Sequence, residues 1–150
     1  MDQPATITVS DPIVTVLSIS PLAEDFLSLE AIFKHSKWQL FKADSILSAL
    51  AFMRRREIGV GICERDLPPA TWIDLLNEMR LLPNAPSLIV ASRLADERLW
   101  AEAINLGACD VLAKPFDRQE VVRSVSLAWR HWRHVCKVAG GITRAMLATH

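Results

Sequence analysis

The stretch Leu106-Gly107-Ala108-Cys109-Asp110-Val111-Leu112-Ala113-Lys114-Pro115-Phe116-Asp117 decides the fold. Gly107 follows the helical spacing of Asp96–Leu106 and marks a helix end, because a left-handed terminal residue costs glycine nothing. Cys109–Ala113 is then too short for another helix and apolar enough to be a buried strand. Pro115 lacks the N–H that would continue a ladder. Asp117-x-x-Glu120 reads as the cap of the next helix. The segment is therefore a helix, a buried strand and a loop leading into a second helix.

The same alternation extends back to the amino terminus. Residues 13–17 (IVTVL) form a β-branched strand, and Ser20-Pro21 with Glu24 and Asp25 then reads as N-cap, first-turn proline and acids on the positive helix end. Phe26, Leu29, Ile32 and Phe33 mark that helix's inner face. Trp38–Phe41 is a weaker strand, and Asp44 caps a helix through Ile46, Leu47, Leu50 and Met53. Ile58–Cys63 is a third strand. Pro68-Pro69 forces a loop, and Thr71-x-x-Asp74 opens a helix through Leu75, Leu76 and Met79. Leu88–Ala91 is a fourth strand and Cys109–Ala113 the fifth. Strands joined by helices pair in parallel through right-handed crossovers, so the sheet is covered on both faces. Residues 1–10 read as a flexible lead-in, 11–138 as the domain and 139–150 as a tail, with Gly140-Gly141 ending the last helix near Val138.

In such sheets ligands lie beyond the carboxyl ends of the strands. The residues at that edge are Ser18-Ile19-Ser20, Glu64-Arg65-Asp66, Ser92 and Lys114-Pro115-Phe116. With Leu106-Gly107-Ala108 ahead of it, the Lys-Pro-Phe element in its strand–helix context resembles the end of response-regulator receiver domains, and the resemblance covers about residues 12–135. It implies a CheY-like (flavodoxin-like) three-layer sandwich, a doubly wound five-stranded parallel sheet in 2-1-3-4-5 order. It also implies a cis bond at Lys114-Pro115. The implied chemistry is a phosphoryl switch. An aspartate after strand three accepts phosphate, an acidic pair after strand one holds Mg²⁺, and Ser or Thr after strand four and Lys after strand five bind the phosphoryl group.

This sequence departs from that pattern at the acidic positions. The pair falls on Ser18 and Ile19, so the oxygen ligands that a hard cation requires are missing and no cofactor is expected. Counting back from Pro68, the acceptor position is Glu64. Its carboxylate lies about 1.5 Å further from the backbone than an aspartate's, and about 1 Å of misplacement can cost on the order of a hundredfold in rate. Ser92 and Lys114 remain. Two readings of Glu64 stay open: an imitation of phosphoaspartate reaching Ser92 and Lys114, or a structural ion pair with Lys114. Asp66 is the alternative acceptor if the loop is two residues shorter, and otherwise a turn residue. Val111 stands where many receivers carry an aromatic switch residue, three before the lysine.

On the last helix Val121, Val125, Trp129, Trp132 and Cys136 make one apolar stripe. Trp132 and Cys136 are expected to overhang the sheet, packing either on Ile142, Met146 and Leu147 of the tail or on a second copy, with Trp100 either core or part of the same interaction surface. The flanking Arg130, Arg133, His131, His134 and Lys137 read as a solvated face. The chain carries 17 Lys+Arg against 17 Asp+Glu, a net charge of zero that argues against a nucleic-acid binder. No apolar run is long enough to cross a bilayer. The three scattered cysteines read as reduced thiols of a cytoplasmic protein.

The function expected is a stand-alone, non-enzymatic receiver-like module that is not phosphorylated conventionally and acts by contact with a signalling protein, either a sensor kinase or a downstream effector. A homodimer through the last helices is a further expectation. The alternatives are a phosphorylatable receiver using Asp66 and a flavodoxin-like small-molecule binder. The latter lacks GxGxxG and GxxxxGK[ST] loops.

Overall fold

The computed structural model describes residues 13–148, and of residues 137–148 only the course of the backbone. The expected lead-in over 1–10 and the side chains of Ile142, Met146 and Leu147 lie outside the described residues. In chain order the elements are β1 (Thr15–Ile19), α1 (Ala23–Phe33), β2 (Gln39–Ala43), α2 (Ile46–Arg55), β3 (Val60–Glu64), the short pair β4 (Asp66–Leu67) and β5 (Ala70–Thr71), α3 (Trp72–Met79), β6 (Ser87–Ser92), α4 (Glu97–Leu106), β7 (Asp110–Ala113) and α5 (Arg118–Ala148). The main sheet is parallel, in the order β2-β1-β3-β6-β7. Numbering those five strands alone gives the expected 2-1-3-4-5.

The period-two alternation of the strands sorts their side chains onto two faces. Leu17, Ile19, Cys63, Leu88 and Val90 pack with Leu50, Trp72, Leu75 and Met79, so α2 and α3 cover one face, with Ala103 of α4. Val16, Val60, Ile62, Ile89 and Ala91 pack with Leu29 and Phe33 of α1 and Val121, Val125 and Trp129 of α5 on the other. Burial on both faces explains why the central strands read as continuous apolar runs.

Local signals hold where side chains close on their own backbone. Thr71 and Asp74 form the capping box of α3, Asp96 caps α4, and Gly107 ends it at φ 110°. The backbone N–H of Glu120 donates to Asp117 at 3.0 Å. Other boundaries move. β1 begins two residues later than expected. The cap of α2 is Ser45, paired with Ser48, and not Asp44. Leu47 is exposed, since Ala49 and Leu50 supply the inner face. Ser20 does not cap α1, whose first flanking residue is Leu22; its hydroxyl is engaged by Asp25.

Two expectations for α5 are corrected. The helix passes through Gly140-Gly141 and runs to Ala148, because a helical glycine costs only about 1 kcal/mol relative to alanine. Trp132 does not overhang. It is buried with Trp129, stacks beside it at 5.0 Å between centroids, and donates its indole N–H to the Asn84 carbonyl at 3.1 Å. The loop before β6 supplies the floor that the sheet alone would not. Trp129 and Trp132 are core residues, while Trp100 is about half exposed.

Candidate functional site

Strand register gathers the sequence-predicted residues at one edge. Ile19 aligns with Cys63, Glu64 with Ala91, and Ser92 with Ala113. Ser18, Ile19, Glu64, Ser92 and Lys114 therefore come together at the carboxyl ends of β1, β3, β6 and β7. The Lys114-Pro115 bond is cis. The Lys114 backbone N–H donates to the Ser92 carbonyl at 3.0 Å, which fixes where the lysine leaves the strand.

The Lys114 side chain is 6% exposed and lies between two carboxylates. Its ammonium donates to Oε1 of Glu64 and, at 2.8 Å, to Oδ2 of Asp25. Oε2 of Glu64 accepts the Asp66 backbone N–H at 2.8 Å, so both oxygens of Glu64 are engaged. Asp25 Oδ2 also accepts from the Ser20 hydroxyl at 2.7 Å, and Ser20 Oγ accepts the Leu22 N–H at 3.0 Å. Burial opposes the charge on Lys114, but the hydrogen bonds and charges of Asp25 and Glu64 outweigh it and hold its pKa above the ordinary lysine value.

The remaining predicted residues sit differently. Ser92 is buried beside the cluster, with its hydroxyl accepting from Leu94 N–H at 3.0 Å. Ser18 and Ile19 are buried at the end of β1. Asp66 turns outward, its carboxylate beside the Arg65 guanidinium at 3.3 Å. Val111 packs at the edge of the core. A cleft of about 300 Å³ opens over Glu64, Ser92 and Lys114 between Pro21, Pro68, Arg93 and Leu94.

Asp25 joins the site without lying at the expected strand edge, and Ser20, which does lie there, enters it through its hydrogen bond to Asp25. Asp25 read as a helix-dipole acid, yet it lies at i, i+4, i+8 with Leu29 and Phe33, all three buried on one face of α1. An acid in register with an apolar stripe was the available signal.

A family model for the response regulator receiver domain matches residues 25–126. The chain belongs to the response regulator receiver family. Among related proteins, the receiver is 28% identical over 111 residues to ARR20 of Arabidopsis thaliana, named as a two-component response regulator, covering 73% of this chain and 25% of that protein. It is 25% identical over 93 residues to sporulation initiation phosphotransferase F of Bacillus subtilis (strain 168), covering 62% and 75%. The chain thus spans about a quarter of the Arabidopsis protein's length. The signal receiver domain of an HD domain-containing protein from Pseudomonas fluorescens Pf-5 shares the fold, with a TM-score of 0.74 at 24% identity over 83% of this chain and 93% of that one. No described helix of the receiver is long and apolar enough to cross a membrane.

Proposed function

We propose that this receiver domain is a cytoplasmic protein–protein signalling module that works without conventional uptake of phosphate at the strand-three position. The observation that carries the reading is the state of Glu64. It stands last in β3, and both its carboxylate oxygens are already bound, one to Lys114 and one to the Asp66 backbone. An attacking carboxylate needs a free oxygen in line with the phosphorus, and positioning dominates phosphoryl transfer. The donor set supports a metal-free pocket. Ser18 and Ile19 offer a hydroxyl and a hydrocarbon where a hard cation needs charged oxygens, and an ammonium lies between the two carboxylates that are present. Free cysteines suit a reducing compartment.

The partner is a signalling protein, a sensor kinase or an effector. A second copy meeting the α4–α5 side is a further candidate, for which the half-exposed Trp100 supplies an aromatic anchor.

Incubating the protein with acetyl phosphate and Mg²⁺ and reading intact mass tests the proposal. An unchanged mass is expected. A labile gain of one phosphoryl group overturns it, and mapping that gain to Asp66 would establish the exposed aspartate as acceptor. Whether Glu64 imitates phosphoaspartate is decided by partner affinity of Glu64→Gln and Glu64→Asp. Equal binding by both variants and the parent leaves Glu64 as a structural ion-pair member.

A further inference from the structure

Asp25 does not belong to the strand edge at all. It is carried on the first turn of α1, and the buried stripe it shares with Leu29 and Phe33 turns its carboxylate inward, where it is buried. A carboxylate taken from water needs charge and hydrogen-bond partners. Asp25 has both, from Ser20 Oγ at 2.7 Å and Lys114 Nζ at 2.8 Å. The ammonium of Lys114 faces the same demand, and it is met by one carboxylate from α1 and one from β3. These three residues lie far apart in sequence and satisfy one another only in the folded chain.

We infer that the Lys114 ammonium is the resident cation of this pocket, and that Asp25 is the positioning residue that clamps it against Glu64. The inference rests on the receiver reading with Glu64 in the acceptor position. It deepens that reading by naming the cation that occupies the acidic end of the pocket. Two carboxylates and one ammonium leave a single net negative charge, which a fixed amine already spans. A divalent cation entering here must displace the ammonium, and an incoming phosphoryl group must compete with two carboxylates for the buried ammonium, since Arg65 and Arg93 at the cleft wall are solvent-accessible and pair with Asp66 and Glu24.

Lysine acetylation by a limiting amine-reactive ester reads the clamp directly, because the neutral amine is the reacting form. Peptide mass spectrometry of the full chain gives the rate at Lys114 relative to exposed Lys34 and Lys37. Lys114 is expected to react far more slowly than either, with no change on adding Mg²⁺. Removing one facing charge in Asp25→Asn is expected to raise the Lys114 rate roughly tenfold, because the ammonium form loses a stabilising carboxylate. Asp25→Glu should return it toward the parent value, which a general loosening of the fold would not do. Ser20→Ala, which removes one donor to Asp25 and leaves the charges in place, should give a smaller rise and serves if Asp25→Asn fails to fold. A parent-like rate in folded Asp25→Asn or, failing that variant, in Ser20→Ala overturns the inference. So does acceleration of Lys114 labelling by Mg²⁺ in the parent. No phosphodonor enters this measurement, so its failure and that of the intact-mass test are distinguishable.

Discussion

Gly59 lies directly beneath the indole of Trp129. A Cβ at position 59 would stand 2.2 Å from ring atoms Cε3 and Cζ3 and 3.0 Å from Trp132. The two tryptophans are buried and tilted against each other, so neither ring can swing aside. Gly59→Ala is expected to cost about 1–3 kcal/mol through overpacking, measured by urea unfolding. Trp129→Leu in the Gly59→Ala background should recover part of that loss. An alanine tolerated at no cost would show that the α5 tryptophans sit elsewhere.

The Asp25–Lys114–Glu64 cluster gives a second prediction. Lys114→Met leaves two buried carboxylates without their cation and is expected to cost about 3–5 kcal/mol. Neutralising all three, as Asp25→Asn, Glu64→Gln and Lys114→Met together, removes the unpaired charge and should be less destabilising than Lys114→Met alone. Equal losses would mean that the ion pairs contribute little beyond packing.

The raised Lys114 pKa sets a pH window. A lysine whose folded pKa lies above its unfolded value of about 10.4 contributes stability that is complete below that value and is lost as pH rises through the folded pKa. The stability gap between the parent and Lys114→Met should therefore be flat from about pH 8 to 10 and narrow above it. The absence of tyrosine from the sequence keeps phenol titration out of that range. A gap that stays constant to higher pH would contradict the assignment.

Cys63 is fully buried in β3, and burial followed by the adjacent Glu64 charge pushes its thiol far above the ordinary range. Thiolate is the reactive form. Iodoacetamide at pH 8 should leave Cys63 unmodified in the folded protein, while urea exposes it. Labelling of Cys63 under native conditions at the rate of an exposed thiol would refute this placement.

Thr71 accepts the Ile73 N–H and Asp74 accepts the Thr71 N–H, closing the start of α3. Thr71→Ala should cost about 1 kcal/mol, read as a lowered urea midpoint with unchanged slope.

By itself the sequence determined the order of the five main-sheet strands and their helices, the parallel sheet and the edge at which Glu64, Ser92 and Lys114 meet, but not the short β4–β5 pair around Pro68-Pro69. Those features follow from short-range causes: period-two and helical spacing, glycine and proline breaks, and caps such as Thr71 and Asp96 that bond within a few residues. Tertiary structure decided what those signals cannot contain. Asp25 looked like a helix-dipole acid, and only packing of α1 on the sheet turned it toward a lysine 89 positions away. Trp132 looked unsupported because its partner, the Asn84 carbonyl, lies in a loop 48 positions earlier. Gly140-Gly141 looked like a stop, yet two glycines in helical backbone cost too little to end α5. Buried polar groups are satisfied by whatever the fold brings within reach, and that reach is not written in local spacing.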